Sequence, residues 1–355
     1  MFSIAGNHLT EALKTAAQAA AARSPLQALT HIRVEGEAGS SVLTFTGSDG
    51  YVTAIATVPA SIGPDDVDVC VPADKLQAIA GMAAAAVVFS KKDAKVVARA
   101  GSCRVTVPTI PGASFPSPNI EGEPIAEFDA PGLTTMIPTV AFAIAGQKVH
   151  DKPFLRNLWL ESDGSAIHAV GCDGFMLAAN CLPIECEKFG VPVTSEGASL
   201  LAAVGADHFQ IYQSHLVGSR AGVRVICNRP PPKYFEWRRL FPVPDQFVTF
   251  SRDDLLKVCP LHKVFDNNGV IRFEQDGDLC AVTISDTVQA VDADIELRGR
   301  GYESHLEGSF DGTQLLRLLG QVKTEQVSLS WAGEKSGACL LQDGSWRGVL
   351  APLRA

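Results

Sequence analysis

Cys172 is followed at once by Asp173, and a thiol beside a carboxylate is a pair from which a nucleophile could be built. A hydrolase centred on Cys172 is therefore one reading of the chain. The aspartates at corresponding places, Asp49 and Asp286, are not preceded by cysteine, so a turn role shared by all three is simpler. The cysteines number nine, are scattered, and sit mostly in apolar runs, where a free thiol acts as a small hydrophobe. Metal binding needs closely spaced ligands, yet there is no CxxC, and the nearest pair, Cys181 and Cys186, has no histidine beside it. His150, His208, His215, His262 and His305 show no ligand spacing either. No G-x-S-x-G elbow, H-E-x-x-H helix, P-loop or G-x-G-x-x-G turn occurs. The sequence thus predicts no catalytic residue, no metal and no cofactor.

The elements that carry these residues recur three times. Ile4 and Leu9 reappear as Phe128 and Leu133, then as Phe250 and Leu255, at offsets of 124 and 122. The turn aspartates follow at offsets of 124 and 113, and a helical leucine recurs at Leu76, Leu200 and Leu315. Landmarks in one order at nearly constant spacing indicate one unit of about 120 residues used three times. That suggests a modular scaffold more readily than a single catalytic cleft.

Each third reads as helix, strands, helix, strands. In the first, Asn7 is a plausible cap for a helix over residues 9–21, strands follow at 31–35 and 42–46, and Pro72 opens a second helix through Ala80. Strands at 87–90, 96–100 and 103–107 close the unit. The second third has a helix at 133–145, which Pro138 should kink, strands near Leu158 and His168, and a helix at 198–204. The last has helices at 253–262 and 313–320, with strands near 270–273, 280–284, 289–294, 326–330 and 338–341. Alternating strands with a few helices imply an α+β fold, helices packed on one side of antiparallel sheets. Pro- and Gly-rich junctions at 111–124 and 242–244 divide it into domains 1–122, 123–246 and 247–355.

At 355 residues, 46% hydrophobic and 19% charged, the chain is an ordinary globular composition able to bury a core in each third. The start lacks a basic region followed by an apolar run, and no stretch of about 18 apolar residues exists, so a cytoplasmic, membrane-free protein is expected. The net charge of -9 counts against tight nucleic-acid binding, which needs clustered Lys and Arg.

Residues 151–184 carry Phe154-Leu155-Arg156-Asn157, then Val170-Gly171-Cys172-Asp173-Gly174-Phe175-Met176-Leu177-Ala178, then Leu182-Pro183. With Ser114-Phe115-Pro116, the stretch 234–242 containing Arg238-Arg239, the terminal Ala351-Pro352-Leu353-Arg354 and the triple repeat, this resembles the bacterial DNA polymerase III beta subunit, the replicative sliding clamp. The resemblance implies three clamp domains per chain and a head-to-tail homodimer that rings duplex DNA without reading its sequence. It also implies a non-catalytic processivity factor that tethers the polymerase III alpha subunit and serves the clamp loader and other clamp-binding-motif proteins. A ring holds DNA by topology, which answers the charge objection, since weak phosphate contacts allow sliding. An adaptor or decoy that keeps the fold but does not encircle DNA is the alternative.

The resemblance also implies a pocket for a short, apolar-plus-glutamine peptide. Its matching positions begin with Leu155, Cys172, Gly174, Phe175, Met176 and Leu177 in the central third. Pro242 and Phe247 follow at the second junction, and Val349, Ala351, Pro352, Leu353 and Arg354 at the C-terminus. Phe175-Met176 replaces the family's usual histidine-arginine pair, and Ala351 and Leu353 its methionines, which makes the pocket more apolar and fits a divergent paralogue, plasmid-borne or phage-borne. Matching DNA contacts are Arg23 and the loop with Lys148, His150 and Lys152. Lys14, Lys75, Lys257, Lys263, Arg317 and Lys323 lie on or beside helices, while residues 194–205 hold no Lys or Arg. Ring closure needs paired edge strands, for which Arg104, Val105 and Val107 at one end and Val264 with Phe265 at the other are candidates.

Overall fold

The computed structural model describes residues 1–355 except 83–84, 147–151, 232, 234–235, 265–269, 277–278, 287–290, 299, 302–306, 333–336 and 354–355. The chain packs as two units that do not coincide with its sequence thirds. One comprises Met1–Thr135, Cys186–Phe189 and Glu196–Pro230; the other comprises Met136–Glu185, Gly190–Ser195 and Pro231–Ala355. The reason lies in the sheets.

In the first unit a nine-stranded antiparallel sheet runs in the order Ile110–Pro111, Val67–Pro72, His31–Gly36, Val42–Ser48, Val52–Pro59, Val223–Asn228, His215–Arg220, His208–Ile211, Ala126–Asp129. Strand Val52–Pro59 of the first third pairs with Val223–Asn228 of the second, so one sheet crosses the repeat boundary. The second unit repeats the device. Its nine-stranded sheet runs Phe189–Thr194, Asn157–Ser162, Ile167–Cys172, Met176–Leu182, Trp346–Leu350, Cys339–Asp343, Gln326–Trp331, Gln246–Ser251, Arg300–Gly301. Here Met176–Leu182 pairs with Trp346–Leu350. Each unit adds a smaller antiparallel sheet. The first has five strands, ending at Cys103–Pro108; the second has four, ending at Val291–Arg298 and Glu307–Asp311.

The first helix, Gly6–Ala19, buries Leu9, Ala12, Leu13, Ala16 and Ala19, a helical spacing that lays one apolar stripe on the sheet. Burying Leu9 and Leu13 contributes about 1.5–3 kcal/mol each. Asn7 lies inside the first turn rather than at the cap. The cap position is Ala5, whose methyl cannot accept a hydrogen bond, and the Gly6 N–H donates to the Ala85 carbonyl instead. The helix expected at 133–145 is two single turns, Leu133–Met136 and Pro138–Ala141, because the proline ring cannot continue the first one. In both units the helical layer approaches the sheet over a glycine. A Cβ on Gly47 would collide with the Ala16 carbonyl oxygen, and one on Gly171 with that of Val140. The later helices carry side-chain caps, Ser251 accepting from the Asp254 N–H and Asp311 from that of Gln314. No helix among the described residues is long and apolar enough to cross a membrane.

Candidate functional site

Strand Ile167–Cys172 reverses into Met176–Leu182 through Asp173, Gly174 and Phe175. Asp173 Oδ1 accepts from the Phe175 and Met176 N–H groups at 2.9 and 2.8 Å, and Gly174 takes φ +97°, which a residue without Cβ adopts freely. Asp49 makes the same turn, accepting from Tyr51 and Val52. These two aspartates thus build turns. The turn leaves Phe175 65% exposed, while Met176 and Leu177, on opposite faces of the strand, are both buried.

Leu177 sits opposite Val349 across the junction, and the Ala351 N–H donates to the Phe175 carbonyl at 2.8 Å, tying the C-terminal segment to the turn. A cleft of about 120 Å³ results, lined by Cys172, Gly174, Phe175, Met176, Leu177 and Val349, with Leu240, Ala338 and Ala351 completing its walls. Among the described residues, no lining side chain is charged. Its size suits an apolar anchor or two rather than a whole drug-sized ligand. Beneath it Leu155, Trp159, Val170, Ala179, Trp237 and Leu340 pack as a cluster.

The electrostatics disfavour a reactive thiolate at Cys172. Burial pushes the Cys172 thiol up to about 11, so little thiolate forms near neutrality, and its sulfur accepts from the Gly174 N–H at 3.4 Å. Charged groups stand beside the cluster. The Arg238 guanidinium lies 4.2 Å from the Trp237 ring and pairs with Glu161, whose other oxygen accepts from Trp159 Nε1 at 2.6 Å. Among the described residues no group of His, Cys, Asp and Glu is arranged to hold a metal ion.

Of the positions singled out by sequence, seven line the cleft. Leu155 lies under it within the cluster, whereas Pro242, Phe247, Pro352 and Leu353 are not among its walls. Phe247 projects from the far strand Gln246–Ser251, opposite Ser330, and the Leu353 N–H donates to the Ser309 carbonyl. Arg354 lies outside the described residues. Sequence reasoning missed Leu240 and Ala338 as site residues, although Leu240 falls within the stretch 234–242 that carried the resemblance.

Comparison with known proteins gives this geometry a context. The family described as DNA polymerase III beta subunit, N-terminal domain, matches residues 1–120. The beta sliding clamp of Pseudomonas putida KT2440 is 26% identical over 362 residues, covering 97% of this chain and 96% of its own length. That of Pseudomonas aeruginosa PAO1 is 25% identical over 354 residues, 95% of this chain and 94% of its own. The chain is therefore similar to beta sliding clamps over nearly its whole length. Solved clamps share the fold along the whole chain. A Pseudomonas aeruginosa DNA polymerase sliding clamp superposes with a TM-score of 0.91 at 23% identity, and the Bacillus subtilis one with 0.89 at 16%, each covering 100% of this chain and 99% of its own.

The remaining positions suggested by the clamp resemblance are less uniform. Arg23 and Lys152 are exposed; Lys148 and His150 lie outside the described residues. Lys75 pairs with Asp74 at 3.0 Å and Lys257 with Asp254 at 3.5 Å, while Arg317 donates to the Phe142 carbonyl, so part of the helical basic charge is engaged within the chain. Cys103–Pro108 is an outermost strand with Arg104 exposed and Val105 half-buried, but Val107 is 2% exposed and turns into its own core. Val264 ends a short helical segment, Cys259–Val264, rather than an edge strand, and Phe265 lies outside the described residues.

Proposed function

We propose that the chain is a DNA sliding clamp: a ring-shaped homodimer that encircles duplex DNA, performs no catalysis and tethers a replicative polymerase. The observation that supports this most is whole-length kinship, 97% of the chain aligned with the Pseudomonas putida beta sliding clamp. The repeats 1–122, 123–246 and 247–355 would serve as the three domains of each protomer. Strand edges at Cys103–Pro108 and Val291–Arg298 would join one protomer to its twin, since unpaired ladder groups recruit a partner strand. Arg23 and Lys152 would touch the phosphate backbone weakly enough to slide. The uncharged cleft beside Phe175 would receive the short apolar peptide of the polymerase, the clamp loader and other partners.

The direct test is loading onto a nicked circular plasmid by a clamp loader, followed by gel filtration. A clamp stays with the circle and leaves once the plasmid is cut linear. Protein that never co-elutes with the circle, or remains after linearisation, would end the proposal. Leu177→Ala should abolish capture of a polymerase C-terminal peptide while light scattering still reads twice 37.6 kDa.

A further inference from the structure

Across the first unit's large sheet, one row of side chains crosses four strands. Arg33 lies opposite Thr46, Thr46 opposite Ile55, and Ile55 opposite Arg224. Above the row opens a groove of about 530 Å³, well over the volume of the cleft beside Phe175 and within the range of ligand sites, roughly 300–1,000 Å³. Its lining is mixed. Ile55, Phe115 and Ile226 form an apolar strip beside the buried Thr46, with Ile120 and Tyr212 packed alongside, and Arg33, Glu35, Ser117, Asn119 and Arg224 add polar groups.

The two arginines at the ends differ. Arg33 is engaged, its guanidinium 2.9 Å from Asp68 and 2.8 Å from Glu35, so that end carries two carboxylates for one cation. Arg224 is exposed, and among the described residues no hydrogen bond or ion pair uses its guanidinium. It shares a strand face with Ile226, two residues on, about 6.8 Å away at the strand repeat. Side chains two apart on an extended peptide have the same spacing.

We propose that this groove is a second peptide site, binding an extended segment whose aliphatic side chain rests on Ile55 and Ile226 and whose carboxylate, two residues away, pairs with Arg224. The excess negative charge around Arg33 repels a second carboxylate and fixes the direction of the peptide. Nucleic acid fits poorly. A phosphate run draws its affinity from several cations, and the rim offers a single unengaged one.

The test uses the full-length protein with labelled isoleucine, leucine and valine methyls and the probe acetyl-Ala-Leu-Ala-Asp-Ala-amide. Titration should shift the methyls of Ile55, Ile120 and Ile226. Arg224→Ala should weaken binding about tenfold, as loss of a charged hydrogen bond does. Arg224→Glu should reverse the charge preference, so that acetyl-Ala-Leu-Ala-Lys-Ala-amide binds better than the aspartate peptide. A purely structural role for Arg224 would not produce that reversal. Silence of these methyls up to about 10 mM probe overturns the proposal. So does equal binding by wild type and Arg224→Ala, or a response to oligothymidylate without one to the peptide. Shifts confined to Val349 and Leu177 would assign the probe to the other cleft and also overturn it. Plasmid loading enters none of these readouts, so clamp function stands or falls separately.

Discussion

The two sheet junctions, Val52–Pro59 against Val223–Asn228 and Met176–Leu182 against Trp346–Leu350, share a backbone plan and differ in what fills it. Gly50 and Gly174 make equivalent turns, each with a leucine beneath, Leu29 at 3.6 Å and Leu155 at 3.7 Å from the place a Cβ would occupy. The row Arg33, Thr46, Ile55, Arg224 in the first unit corresponds to Trp159, Val170, Ala179, Arg347 in the second. There Trp237 packs on the row, and Arg347 stacks 4.9 Å from the Phe241 ring. In the first unit Phe115 keeps the place of Phe241, but Pro111 stands where Trp237 would, and a groove remains. At the turn end the contrast reverses. Cys172 and Leu177 keep the second junction apolar, whereas Ser48 and Thr53 bond to each other at 2.9 Å in the first. One scaffold thus presents an uncharged cleft at one junction and a broad, half-polar groove at the other.

The largest break of this comparison is Trp237→Ala, which should empty the second row and make it resemble the first. Removing a fully buried indole from a close-packed cluster costs about 3–5 kcal/mol. Urea unfolding followed by tryptophan fluorescence would read the loss. A cost below about 1 kcal/mol would mean that Trp237 is not what fills the row.

Much of this plan was legible in the sequence, and the junction strands were not. The repeat offsets and the turn aspartates located equivalent residues because both are local signals, and Asp49 and Asp173 form the same hydrogen bonds. Pro138 announced the broken helix. Strand Val52–Pro59 went unread because its outer partner, Val223–Asn228, is about 170 residues away, and β propensity expresses the neighbours a strand acquires more than its own residues. The same distance hides which residues become walls. Leu240 and Ala338 meet Val349 only once the sheet is assembled, and Phe247 and Leu353, which share its apolar chemistry, end elsewhere. Arg224 gave no signal either, since an exposed arginine on an alternating strand is ordinary until its row is seen.

Arg238→Ala tests the charged side of the contrast. In the second unit Arg238 pairs with Glu161 against Trp237; in the first, Gly112 holds that place and Arg33 pairs with Glu35 from within the sheet. Truncation leaves the Glu161 side chain, 10% exposed, with the Trp159 N–H as its one donor among the described residues. Because Arg238 itself is half exposed, the expected loss is about 1–2 kcal/mol rather than that of a fully buried pair. Arg238→Met, which keeps the packing over Trp237, should lose nearly as much. Full recovery by Met would assign the effect to stacking alone.

A finer comparison exchanges the turn-end residues. Cys172→Ser and Leu177→Thr should each destabilise, one by burying a hydroxyl and the other by removing apolar volume. Together they recreate the Ser48–Thr53 hydroxyl pair, so the double variant should recover about 0.5–1.5 kcal/mol relative to additivity. Strict additivity would show that the two junctions differ in more than these side chains.

The smallest expected difference concerns acid. His168 Nε2 lies 2.9 Å from Asp163 Oδ2, and this bond, with the Ser165 and Ala166 N–H donors, holds the Asp163 carboxyl well below its usual 3.8. A carboxyl depressed in the folded state stabilises above its unfolded value, and that contribution disappears as pH falls through the folded one. The first unit has Thr44 in place of His168 and lacks the pair. His168→Thr should therefore cost stability at about pH 5 and progressively less as pH falls below 3.8, where the unfolded carboxyl takes up a proton while the folded one, held lower, does so only in stronger acid. The carboxylate is largely solvated, so the difference should stay under about 1 kcal/mol. Urea midpoints of both proteins on either side of pH 3.8 would measure it. A gap that does not narrow in acid would mean that His168 acts through its contact with the Trp237 ring, 5.7 Å away, and not through the carboxylate.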